Sequence, residues 1–138
     1  MRFERESLLT DPVARHLKRL RFRAVYREAP FGEYNIDVLG HAPASGRAVA
    51  VELKLTKWQR AFEQALVYQL CADFAYVAMP RELSGRVPLV RFEEHGIGLL
   101  AVDGRGCHVV LPAAQSHVIR QEYKDQVLRR VEEFTCPT

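Results

Sequence analysis

Cysteine is scarce in this chain of 138 residues: Cys71, Cys107 and Cys136 stand at unrelated spacings, and an odd number cannot all pair within one chain. That excludes a disulfide scaffold and points to a reducing compartment. No second cysteine or histidine stands at zinc-ligand spacing from Cys107 and His108, which argues against a structural zinc. No run approaches the roughly 20 apolar residues that span a bilayer, and the opening Met1-Arg2-Phe3-Glu4-Arg5-Glu6 is too charged for a secretory signal. A soluble, cytoplasmic protein is expected. Also missing are a G-x-S-x-G elbow, a Walker loop, a dinucleotide fingerprint, internal repeats and low-complexity tracts. Residues 1–138 therefore read as a single domain.

What is present is the composition of a globular protein, 48% hydrophobic and 27% charged, with a net charge of +3. The charge is uneven. The first 27 residues carry eight basic side chains against three acids, which suits a phosphate-rich partner and equally suits a solvated helix face.

Thr10-Asp11-Pro12 reads as a helix start, with Val13, Leu17 and Leu20 on its buried stripe. A further helical turn bearing Glu4 and Glu6 is expected before it. Phe22 to Ala29 and Tyr34 to Leu39 read as strands, the second with Tyr34, Ile36 and Val38 on one face and Asn35, Asp37 and Leu39 on the other. Ala48 to Leu55 is the third strand. Its alternation sends Val49, Val51, Leu53 and Leu55 into a core and leaves Ala48, Ala50, Glu52 and Lys54 on the opposite face, where small residues leave room for a phosphate backbone. Thr56 is positioned to cap a helix reaching Cys71, and Phe74 to Met79 reads as a central parallel strand. A hairpin about Asp103-Gly104-Arg105-Gly106 and a long helix from Ala114 to Phe134 close the chain. The expected fold is α/β, three layers around a central mixed sheet, with core order αβββαβ followed by a C-terminal hairpin and helix.

The chemistry lies in the meander. A hairpin sets Asp37 beside Glu52, with Lys54 two residues on. Two adjacent carboxylates repel unless a cation lies between them. Mg²⁺ is held by one or two carboxylates and keeps waters and phosphate oxygens for its other positions, so it fits the pair, with Lys54 beside an attacked phosphate. The same three residues also make an ordinary cross-strand ion cluster, worth about 0–1 kcal/mol per pair.

Asp37 followed by Glu52-Leu53-Lys54 within this element order resembles the PD-(D/E)xK nuclease superfamily, the restriction-endonuclease-like fold. The resemblance covers roughly Val13 to Pro80 and implies Asp37 and Glu52 as ligands of Mg²⁺ (or Mn²⁺), the Leu53 carbonyl as a third ligand, and Lys54 as the lysine that positions water. Gln64-Ala65-Leu66-Val67-Tyr68 matches the Q-x-x-x-Y motif that some branches carry, which implies Gln64 and Tyr68 beside the active site. Ile36 stands where many members have proline, and Glu6 and Glu28 are further acids outside the motif. The expected activity is Mg²⁺-dependent hydrolysis of DNA phosphodiesters, with a homodimer as one way to cut two strands. The alternative is a catalytically silent DNA-binding or complex-forming subunit on the same fold.

Overall fold

The computed structural model describes residues 3–134, with side chains to residue 131. Six strands form one mixed sheet in the order β1-β2-β3-β4-β5-β6. They are β1 (Ala24–Phe31), β2 (Tyr34–Ala42), β3 (Arg47–Leu53), β4 (Phe74–Pro80), β5 (Gly98–Asp103) and β6 (Gly106–Leu111). β1 to β3 are an antiparallel meander, β3, β4 and β5 run parallel, and β6 returns antiparallel. The helices are α1 (Thr10–Arg19), α2 (Trp58–Tyr68), the short α3 (Arg81–Ser84) and α4 (Leu89–Glu94), and α5 (Gln121–Phe134). This is a three-layer α/β/α architecture with the expected αβββαβ core.

Each face of the sheet has its own core. Val13 and Leu17 of α1 pack on Val25, Val38, Val49, Val51 and Leu53. On the other face Ala48 and Ala50 lie under Ala61, Phe62 and Ala65 of α2, beside Val127 and Val131 of α5. The alanines of β3 therefore make room for a helix, and the phosphate-path expectation for them is corrected. Phe62 and Phe92 anchor this core with ring centroids 4.9 Å apart; truncating Phe62 to alanine costs about 3–5 kcal/mol. Gly40 lies within β2, where it was expected to end the strand, because a Cβ there would meet Val49, Phe22 and Leu17 where α1 approaches the sheet.

Three local expectations change. Thr56 does not cap α2: Lys57 precedes the helix in a left-handed conformation, φ 52°, with no side-chain cap. The closing helix begins at Gln121, because residues 112–120 form an irregular segment held by Ser116 N–H on the Asp73 carbonyl (2.8 Å) and Arg120 N–H on the Leu70 carbonyl (2.9 Å). The alternation of β2 also slips, since Ile36 joins Leu39 in the α2 core while Val38 joins the α1 core. Phe134, expected on one side of α5 with Tyr123, Val127 and Val131, and Cys136 lie outside the described side chains.

Candidate active site

The slip in β2 lies opposite an irregularity in β1. The β1–β2 register runs without offset from Ala24↔His41 to Phe31↔Tyr34, but Glu28, which would face Asp37, is unpaired and left-handed with φ 52°. A non-glycine residue there is sparsely populated and strained. The β2–β3 ladder ends at Val38↔Val51, so its next rung would set Asp37 opposite Glu52. The aspartate side chain takes over from the ladder: Leu53 N–H donates to Asp37 Oδ2 at 2.8 Å.

Glu52 is buried, 7% exposed, and faces α2. Tyr68 Oη–H donates to Glu52 Oε1 at 2.8 Å, and the same hydroxyl lies 3.1 Å from the Asn35 carbonyl. The Asp37 and Glu52 carboxylates lie close enough for each to alter the ionisation of the other. Burial raises Asp37 to about 6, against the Leu53 amide, with repulsion from Glu28 and Glu6 adding to the rise. Burial and repulsion from Asp37 raise Glu52 to about 8, against the pull of the Tyr68 hydroxyl and the Lys54 charge. The pair thus shares a proton near neutrality and titrates as a unit.

Lys54 lies just past β3, and its Nζ is 3.7 Å from Glu6 Oε2 on the 3₁₀ turn Glu6–Leu9, where an extra turn was expected. Leu55 N–H reaches the same Glu6 oxygen at 3.4 Å. A cleft of 410 Å³ opens here, lined by Glu6, Thr10, Arg27, Glu28, Asp37 and Leu53. Arg27 is turned toward Asp11 on α1, with Nη2 2.7 Å from its Oδ1.

The structure thus brings Asp37, Glu52, Leu53, Lys54 and Tyr68 to one end of the β2–β3 pair. Gln64 lies one turn before Tyr68 and lines a separate groove with Tyr34, Gln59, Arg60, Glu63 and Val67. That groove adjoins the site through the Tyr34 ring, which meets Tyr68 edge-on at 6.4 Å between centroids. Glu6, Arg27 and Glu28 join the cleft although the motif does not include them. Glu6 and Glu28 were visible as acids, whereas Arg27 carried no signal beyond its charge.

No family model and no curated protein matches the chain. Among solved structures it is similar to a protein of unknown function from Silicibacter pomeroyi, with a TM-score of 0.72 at 21% identity over 91% of this chain and 82% of that one. At that identity the likeness is one of fold alone.

The donor set can be tested against Mg²⁺. Among the described residues no three histidine, cysteine, aspartate or glutamate side chains are gathered to hold a metal ion. Two carboxylates are gathered, and each would gain from a cation that displaces their shared proton. Mg²⁺ typically takes one or two carboxylates and completes its shell with water and phosphate, so the pair fits.

Proposed function

We propose that this protein is a Mg²⁺-dependent nuclease of the PD-(D/E)xK type that hydrolyses DNA phosphodiester bonds. The observation that carries this reading is the meeting of the half-buried Asp37 and the buried Glu52 across β2 and β3, with Lys54 two residues beyond Glu52. Asp37 and Glu52 would hold the ion, with the Leu53 carbonyl as the third ligand of the family pattern. A Mg²⁺ or Mn²⁺ ion there supplies positive charge against the phosphate and the carboxylates.

The remaining work falls to the chain. Leu53 N–H and Tyr68 Oη–H fix one oxygen of each carboxylate, and Asp37 lines the cleft. Lys54 orients the attacking water and offsets charge on the phosphorane as it forms. Its present partner Glu6 is a 3.7 Å contact, loose enough for the ammonium to turn toward substrate. Gln64, Arg60 and Tyr34 offer an adjoining surface for the nucleic acid strand. Cys71 and Cys107 are both buried free thiols, which supports a cytoplasmic setting. Among the described residues no helix is long and apolar enough to cross a membrane.

The burial of Glu52 and the engagement of Lys54 by Glu6 favour a second reading, a nuclease-fold DNA-binding subunit without turnover. Cleavage of DNA in Mg²⁺ or Mn²⁺, compared with chelator, separates the two. The wild-type protein is expected to cut only with metal, and Lys54→Ala and Asp37→Asn to lose that activity. Equal cutting by wild type and both variants would mark contamination and overturn the assignment. Salt-sensitive DNA binding with no metal-dependent cutting would select the silent subunit.

A further inference from the structure

At the opposite end of α1 from the acidic cleft, about 15 Å along the helix, a cavity of 330 Å³ opens on the same face of the sheet. Leu17, Phe22, Val49, Phe74, Tyr76 and Leu100 wall it. Tyr76 closes one side because Gly98 has no side chain to displace its ring. Two cationic side chains, Arg21 and Arg47, line this cavity together with His16 and Ser45, and no acidic residue does. The Arg47 guanidinium sits over the Phe74 ring, 5.7 Å from its centroid, which fixes one cation at the rim. Leu20, also at the rim, is 52% exposed although it is the last apolar residue of the α1 stripe.

The backbone at Arg21 is the second observation. Phe22 N–H bonds the Leu17 carbonyl at 3.1 Å and Leu20 N–H bonds the His16 carbonyl at 3.2 Å, so α1 ends in a left-handed cap with Arg21 at φ 77°. Glycine is the usual residue at that cap position, and arginine is strained in it. The helix end would be better served by glycine, so the stability given up at Arg21 needs another use for its side chain. A cavity at the small end of the ligand-pocket range has room for a bicyclic aromatic group.

We propose that this cavity binds a small aromatic anion, its ring held among the apolar walls and its carboxylate or phosphate met by Arg21 and Arg47. The site stands on different residues from the acidic cleft and does not depend on the nuclease reading. Calorimetry and methyl NMR with 2-naphthoate, 2-naphthyl phosphate and the neutral 2-naphthalenemethanol test it on the whole chain. At least one anion is expected to bind and to shift the methyl signals of Leu17, Val49 and Leu100. The arm that binds tells a carboxylate ligand from a phosphate one. The neutral alcohol is expected to bind about tenfold or more weakly. Arg21→Gly is expected to keep or raise the melting temperature while weakening the anion about tenfold. Arg47→Ala is expected to weaken it similarly. The proposal is overturned if no probe binds at millimolar concentration, if the alcohol matches the anions, or if folded Arg21→Gly keeps wild-type affinity.

Discussion

Tyr68, the last residue of α2, donates a 2.8 Å hydrogen bond to Glu52 of β3, the strand that precedes that helix. The phenol, with the Lys54 charge, opposes the rise that burial and Asp37 impose on Glu52. Tyr68→Phe removes this donor and leaves the ring, so Glu52 is expected to titrate higher still, and metal binding to need a higher pH. Mg²⁺ affinity measured by calorimetry across pH checks the direction. The stability loss is expected to be about 1–3 kcal/mol wherever Glu52 is ionised.

Glu52 rises from 4.5 to about 8 on folding, and burial is the leading cause. Between those values the folded state holds more protons than the unfolded one, so stability is greatest at the acid end and falls as pH climbs through about 8. Asp37, raised to about 6, adds the same sign over a lower window. Urea unfolding of metal-free protein from pH 5 to 9 is expected to show this decline. Glu52→Gln is expected to flatten it and to gain on the order of 1–3 kcal/mol at pH 8. A flat wild-type profile would contradict the shared proton.

If Mg²⁺ enters between Asp37 and Glu52, it must expel that proton. Binding at neutral pH is expected to release about one proton, seen as a dependence of the calorimetric heat on the ionisation enthalpy of the buffer. Asp37→Asn is expected to abolish both the heat and the release.

At the other end of β3 lies a buried ion pair of a different kind. Lys124 Nζ is 2.7 Å from Asp73 Oδ2, which also accepts Ala48 N–H at 2.8 Å, while Gln115 donates to Asp73 Oδ1 at 3.0 Å. Burial opposes ionisation of Asp73, yet these donors outweigh it and lower its pKa. Stability from Asp73 is therefore present at neutral pH and lost as pH falls through its depressed folded value. Lys124→Met leaves the charge unpaired and is expected to cost about 3–5 kcal/mol by chemical denaturation, and the double variant with Asp73→Asn less.

Much of the site was legible because its parts are local. Asp37, Glu52 and Lys54 sit on strands joined by a short turn, and antiparallel pairing alone makes the two acids neighbours. Tyr68 was legible from helical spacing together with the motif. The rest depends on backbone states that residue type does not announce. Glutamate at position 28 and lysine at 57 both adopt a left-handed conformation that composition assigns to glycine. The first lies opposite the slip in β2, and the second stands where a Thr56 cap was expected. The start of α5 was illegible for another reason: residues 112–120 are spent on carbonyls of Gln69, Leu70 and Asp73, partners some 40 to 50 positions earlier.

The pairing of Asp73 with Lys124 also sets an order of events during synthesis. The acids of the cleft and the whole β1–β4 unit leave the ribosome while Asp73 still waits for a counter-charge 51 residues downstream. Until that lysine arrives, Asp73 holds the Ala48 amide, one residue before the β3–β4 pairing begins, with an uncompensated charge. The emerging chain is expected to stay open at that end and to close only once α5 has been made.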